Sequence, residues 1–111
     1  MTDREMLELA AKACGLAAKW VDVSEFDGLW LNGERSPDNS AYWDPRNNDG
    51  DSRRLQIACQ LALVPFGDAM VAMHNESGRS WAERYEDHAG YSCSAARLAI
   101  LRAAAAIGST L

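Results

Sequence analysis

Basic residues are scarce in this chain relative to acidic ones: eleven Lys and Arg stand against sixteen Asp and Glu, for a formal net charge of −5. Proteins that bind nucleic acid attract it mainly through a wide positive surface that neutralises phosphates and releases counterions. The shortage of positive charge therefore argues against direct nucleic-acid binding. A DNA-mimicking acidic surface would need a denser array of carboxylates than this balance supplies, so mimicry is only a minor alternative.

Paired cysteines and long apolar runs are missing as well. Cys14, Cys59 and Cys93 are far apart and odd in number, whereas a small secreted domain more often carries an even set of disulfide-bonded cysteines. No stretch reaches the roughly 18 consecutive apolar residues of a membrane span. The acidic first residues do not resemble a signal peptide. We therefore expect a cytoplasmic protein with no membrane partner.

Motifs for a metal, a nucleotide or a nucleophile are also lacking. The glycines of GLWLNG (28–33) are not followed by the Lys-Ser/Thr of a P-loop, which excludes nucleotide hydrolysis. His74 and His88 are zinc-ligand types, but no close ligand pair has the usual spacing. Cys93 is an alternative nucleophile without an assigned base, and ERYEDH (83–88) is explained most simply as a solvated strand end and loop. We expect no cofactor, no metal and no catalytic residue.

The composition that is present indicates a globular protein. With 111 residues, 48% of them apolar and 24% charged, the chain fits one folded domain covering residues 1–111. The first predicted helix begins at a capping box formed by Thr2 and Glu5. Gly15 either ends this helix or only weakens it, since the following alanines could extend it to Trp20.

Two pairs of strands are predicted between the helices. GLWLNG (28–33) and SAYWD (40–44) flank the turn-forming ERSPDN (34–39), and DAMVAMHN (68–75) precedes ESG and RSWAERYE (79–86) in a hairpin-like pattern. The last helix, residues 92–108, has Ser92 or Ser94 as its cap and Gly108 just beyond its end. The order α-β-β-α-β-β-α predicts an α+β fold with a four-stranded, mainly antiparallel sheet packed with three helices.

The densest polar stretch, YWDPRNNDGDSRRL (42–55), raises the question of a site. In a calcium loop with Gly50 at the sixth position, Pro45 would be first and Gln56 twelfth, and neither provides the carboxylate that those positions need. We interpret the stretch instead as the entry to a second helix that Asp49 or Asp51 caps and that runs to about Leu63, stopped by Pro65.

Three segments carry a family resemblance: MTDREMLELAAKACG at the start, WDPRNNDGDSRRLQIACQL in the middle and SAARLAILRAAAAIG at the end. They resemble a group of small uncharacterised bacteriophage and prophage proteins, similar to the phage α/β sandwich domains encoded among accessory genes. Host-takeover and anti-defence products lie among the same genes. The resemblance covers about half the chain and implies an origin and a fold, but no active residues.

Two functions follow as hypotheses. The first is a small non-enzymatic phage accessory protein that binds a host protein through exposed aromatic residues with an acidic rim. The candidate contacts are Trp30, Tyr42, Trp43, Trp81, Asp44, Asp49, Glu83 and Glu86. The alternative is a small enzyme or a ligand- or metal-binding domain that uses the Asp44 to Asp51 loop. An exposed apolar patch would favour the first, and a concave pocket that joins the loop to His74 or His88 would favour the second.

Overall fold

The computed structural model describes residues 1–21, 28–31 and 42–111. These residues form an α+β fold with three helices and six short strands. The elements, in chain order, are α1 (Asp3–Cys14), β1 (Ala18–Val21), β2 (Gly28–Leu31), β3 (Tyr42–Trp43), α2 (Asp49–Ala58), β4 (Leu61–Phe66), β5 (Ala69–His74), β6 (Ser80–Arg84), a 3₁₀ turn (Tyr85–His88) and α3 (Ser92–Gly108). The turn predicted at residues 34–39 lies outside the described residues.

The strands form two antiparallel sheets rather than the single four-stranded sheet that the sequence predicts. Within the described ranges, β1, β2 and β3 form one sheet in that order, and β4, β5 and β6 form another. In the second sheet, Ala72 stands opposite Leu63 on one side and Trp81 on the other. Both predicted strand pairs are present, as β2 with β3 and β5 with β6. Each pair is preceded by a strand that was not predicted, β1 in the first sheet and β4 in the second.

The additional strand β4 replaces the predicted end of the second helix. Helix α2 stops at Ala58, Gln60 adopts a left-handed conformation with φ of 55°, and the chain turns into the strand at Leu61. Pro65, which we predicted as a helix stop, lies inside β4. Proline is tolerated there because β4 is an edge strand, where an N–H can be missing without breaking the ladder.

The first helix is built as its sequence signals predict. The backbone N–H of Glu5 donates to Thr2 Oγ1 at 3.2 Å, so Thr2 is the cap. Gly15 has a left-handed φ of 72° and its N–H bonds back into the last turn, so α1 ends there rather than continuing to Trp20. β1 follows directly and pairs with β2.

Helix α3 is the central element of the core and packs against α1, α2 and the second sheet. Its buried alanines add little thickness, and at Gly108 the two backbones are so near that an added Cβ would overlap the carbonyl group of Leu9. The last residue of α3 is Gly108, which the sequence predicts just beyond the end of the helix. The predicted serine caps are also wrong, because Tyr91 occupies the cap position and makes no side-chain cap bond.

The hairpin prediction is confirmed. β5 and β6 pair antiparallel, and Trp81 and Glu83 face the core while Ala82 and Arg84 face outward. The radius of gyration is 13.7 Å, near the roughly 13 Å expected for a folded chain of about 100 residues. No helix within the described ranges has the length and apolar character needed to cross a membrane.

Candidate functional site

The polar loop between β3 and α2 is held by its own hydrogen bonds. Asp44 is buried; its Oδ1 accepts from the side-chain Nε of Arg46 at 2.8 Å and its Oδ2 accepts from Asn47 at 2.9 Å. Burial alone would raise the pKa of the Asp44 carboxyl, but the bonds from Arg46 and Asn47 outweigh it, so that this pKa lies below its ordinary value of 3.8. The carboxylate of Asp44 is thus committed to shaping the loop.

Helix α2 begins at a different residue from the two predicted. Asn48 is the cap, since its Oδ1 accepts from the backbone N–H of Asp51 at 2.8 Å. The carboxylate of Asp51 accepts instead from the N–H of Asp44 at 3.0 Å and from Arg54 at 2.7 Å. The loop therefore leads into helix α2, as predicted. The predicted cap is wrong, because Asn48 and not Asp49 or Asp51 caps the helix.

Helix α3 fastens the same loop from the other side. The Nε of Arg97 donates to the carbonyl oxygen of Arg46 at 2.7 Å, and its Nη1 pairs with Asp49 at 2.7 Å. In the part of the chain that the structure describes, no group of three His, Cys, Asp or Glu side chains could hold a metal ion. Hydrogen bonds and an ion pair thus tie the loop to both α2 and α3.

The predicted aromatic contact surface is not assembled as expected. Trp43 is only 4% exposed and belongs to the core. Trp81 is half-buried against the core, with the guanidinium of Arg79 at 5.1 Å from the centre of its ring. The side chains of Trp30 and Tyr42 lie outside what the structure describes. Trp43 is therefore excluded as a surface contact.

Of the four carboxylates predicted to form the acidic rim, two are buried and two are exposed. Asp44 and Glu83 are buried and cannot meet a partner. Asp49 and Glu86 are exposed and pair with arginines of this chain. Only Asp49 and Glu86 of the four predicted carboxylates are thus available at the surface.

An apolar surface does exist, on the outer face of the second sheet. Because side chains alternate along a strand, every second residue of β4, β5 and β6 points away from α3. Among these, Phe66 is 74% exposed, Val64 43% and Met73 41%. We call this surface the outer face; its apolar members are Ala62, Val64, Phe66, Ala69, Val71, Met73 and Ala82. This face was not predictable from the sequence, because it requires β4, which the sequence pattern assigns to the end of a helix.

Charged residues border the outer face at one end. Arg84 lies on the same cross-strand line as Phe66, since both stand opposite Ala69. Its guanidinium pairs with Asp68 and with Glu86, each at 3.1 Å. Both carboxylates are exposed, so this end of the face has an acidic edge.

A second candidate site is a cleft of about 340 Å³ beside the start of α3. Its lining residues are Asp3, Arg46, Asn47, His88, Ser94, Leu98 and Leu101. His88 lies between two partners: its Nδ1 is 2.9 Å from Ser94 Oγ, and its Nε2 is 3.0 Å from Glu83 Oε1. The other oxygen of Glu83 accepts from Arg102 at 2.8 Å. His74, by contrast, bonds to Ser77 in the hairpin turn.

The hydrogen-bond partners determine how the neutral ring of His88 is protonated. An ionised carboxylate only accepts hydrogen bonds, so the Nε2 that faces Glu83 carries the proton. Nδ1 then offers its lone pair, and the hydroxyl of Ser94 donates to it. ERYEDH (83–88) was predicted to be a solvated strand end and loop, whereas the side chains of Glu83 and His88 are both largely buried.

Two of the three cysteines meet in the core. The thiols of Cys14, at the end of α1, and Cys59, at the end of α2, are hydrogen-bonded, and both are free. The hydrogen bond to Cys59 and burial together raise the pKa of the Cys14 thiol. Cys93 is exposed on the first turn of α3. The first two pack as small core residues, as their apolar helix faces predict.

Comparisons with known proteins identify no relative: no protein-family model matches the chain, and no curated protein or solved structure is significantly similar to it.

Proposed function

We propose that this protein is a binding domain that uses the outer face as its contact surface. The observation that carries the proposal is the exposure of Phe66 on a continuous apolar face with Val64 and Met73. An antiparallel sheet with one solvated face usually alternates apolar and polar residues. Here the outward positions of β4 are all apolar, which is typical of a surface that another protein covers.

The charge of the molecule indicates the chemistry of the partner. The net charge is −5, and the outer face ends at the exposed carboxylates of Asp68 and Glu86. Complementary potentials favour encounter, so the partner presents an apolar patch bordered by Lys and Arg. The resemblance to phage accessory proteins makes this partner a protein of a bacterial host, with an anti-defence or host-takeover role for the complex.

The proposal is tested by capture from bacterial host lysate, followed by titration of the purified captured protein. We expect Phe66→Asp to weaken binding by about tenfold or more, since loss of a large aromatic contact at an interface hot spot costs more than about 1.4 kcal/mol. Ile57→Asp is the matched control, because Ile57 is 66% exposed on α2, away from the outer face. Equal loss for both variants, or no captured protein at low salt, would contradict the proposal.

A second copy of the chain is the competing occupant of the outer face. Sedimentation equilibrium distinguishes the two, because the proposal requires a monomer in the absence of the partner. A dimer that Phe66→Asp dissociates and Ile57→Asp leaves intact would make the face a self-association surface. That result would overturn the assignment to a host protein.

A further inference from the structure

We propose that the cleft beside α3 is an acyl-transfer site, in which Ser94 is the nucleophile, His88 the general base and Glu83 a positioning residue. The substrate class is a carboxylic ester with a short acyl chain. This activity is a function additional to binding at the outer face and does not depend on it. The cleft connects Arg46 and Asn47 of the polar loop with His88, which is the arrangement that favours a ligand site.

The three side chains have the geometry of an activated nucleophile. Ser94 Oγ and Glu83 Oε1 lie 2.9 and 3.0 Å from the two ring nitrogens of His88, within the reach needed for proton transfer. In the familiar serine-protease arrangement the serine faces Nε2 of the histidine, whereas here Ser94 faces Nδ1 of His88. Either ring nitrogen can act as the base, because the nitrogen that does not donate to the carboxylate holds the lone pair that accepts the proton of the serine.

The carboxylate that orients His88 is itself held firmly. Glu83 is 6% exposed, and Arg102 occupies its second oxygen at 2.8 Å. This ion pair leaves Oε1 of Glu83 directed at His88. Glu83 can therefore hold the ring of His88 in place and stabilise the imidazolium that forms when His88 takes the proton of Ser94.

The start of α3 provides stabilisation for a developing oxyanion. Ser94 lies in the first turn, where backbone N–H groups lack helical partners and the helix dipole is positive. Within the described chain, no side chain caps this turn. The N–H groups of Cys93 and Ser94 can therefore donate to the negative oxygen of a tetrahedral intermediate.

The size and lining of the cleft select the substrate. A volume of about 340 Å³ is at the low end of small-molecule sites, which admits a short acyl group. Leu98 and Leu101 contribute apolar wall for that group. Arg46 Nε pairs with Asp44 at 2.8 Å and Arg46 Nη1 lies 3.6 Å from Asp3 Oδ2, so its positive charge is already matched by carboxylates, which disfavours an anionic substrate.

The reaction needs no cofactor. Ser94 Oγ forms a bond to the carbonyl carbon and its proton moves to His88 Nδ1; the bond to the alcohol oxygen then breaks as that proton passes to the leaving alcohol. Water attacks the acyl-serine, again giving its proton to His88, and the bond from Ser94 Oγ to the acyl carbon breaks. The proton returns to Ser94. One ester and one water give one acid and one alcohol.

The first test uses the unmodified protein and a fluorophosphonate, which phosphonylates activated serines. We expect stoichiometric labelling, located at Ser94 by peptide mass spectrometry and absent after unfolding in urea. Cys93 is exposed one residue away, so a label that the mass spectrum places on Cys93 instead of Ser94 would contradict the proposal. Absence of label at Ser94 in the folded protein would overturn the proposal without any question of whether a variant folds.

The second test measures hydrolysis of p-nitrophenyl acetate. We expect Ser94→Ala and His88→Gln to lower kcat/KM by about 100-fold or more, the usual scale for a lost nucleophile or base. Ser92→Ala is the matched control in the same turn and keeps full activity. Glu83→Gln, as a positioning change, lowers kcat with KM nearly unchanged. Equal activity in the Ser94→Ala and Ser92→Ala variants would refute the catalytic assignment and leave binding at the outer face unaffected.

Discussion

A single side chain determines where α2 begins, and it is not one of the acids that surround it. Asn48 has an extended backbone, with φ of −117°, and its Oδ1 meets the N–H three residues later. Asp49 and Asp51 fall inside the first turn, where their charges meet the positive end of the helix dipole. Position relative to the first turn, rather than acidity, decides which of these residues is the cap.

Replacement of Asn48 tests this assignment. We expect Asn48→Ala to lower the free energy of unfolding by about 0.5–2 kcal/mol, because the Asp51 N–H loses its acceptor. Asn48→Ser retains a cap and should stay close to the native protein in urea denaturation. A larger loss for Asp49→Ala than for Asn48→Ala would show that the charge, and not the cap, holds the start of α2.

Residue type alone could not predict this cap. Asn, Asp and Ser are almost equally good caps, so the run NNDGDS predicts that a helix starts there but leaves its first residue open. The same limit applies to α3, where Ser92 and Ser94 look like caps and Tyr91 holds the position. The register of a helix is set by packing against its neighbours, and sequence contains that information only indirectly.

At the scale of secondary-structure elements, a short apolar run in the sequence does not show whether it forms a strand or the end of a helix. LALVPF at 61–66 continues the apolar pattern of α2 and ends near a proline, so it reads as a helix end, yet it forms β4. The hairpin of β5 and β6 was predictable because alternation and a Gly-containing turn agree. The outer face depended on β4, and the meeting of Glu83, His88 and Ser94 depended on the 3₁₀ turn, so neither site could be assembled from local patterns.

The close contact of α1 with α3 at Gly108 gives a specific prediction. Gly108→Ala places a methyl group on the backbone of Leu9, which cannot move aside as a flexible side chain would. We expect a loss of about 1–3 kcal/mol of unfolding free energy, the usual cost of overpacking. Gly78→Ala is the control, since its new methyl group meets nothing within 4 Å and only its φ of 72° is unfavourable. Thermal unfolding of Gly108→Ala near the native midpoint would contradict this packing.

At the scale of the whole molecule, α3 links regions that are distant in sequence. Arg97 ties it to the polar loop, Arg102 ties it to β6 through Glu83, and Gly108 seats it on α1. The outer face lies on the side of the second sheet that α3 does not cover. The two candidate surfaces are therefore on opposite sides of one sheet, and a substitution on one side leaves the other in place.

The polar loop makes the stability of the whole molecule depend on pH in acid. The pKa of Asp44 is lower in the folded protein than the 3.8 of an unperturbed carboxyl, so its ionised form contributes stability above about pH 3.8, and this contribution is lost as pH falls through the lower, folded value. At pH 7 we expect Asp44→Asn to be less stable by about 1–3 kcal/mol, because hydrogen bonds between charged groups are lost. The difference from the native protein should shrink as the pH of urea denaturation is lowered below about 3.8. Asp87→Asn, at an exposed carboxylate, should differ little at any pH. An Asp44→Asn difference that persists undiminished in acid would mean that loop geometry, and not the charge of Asp44, supplies the stability.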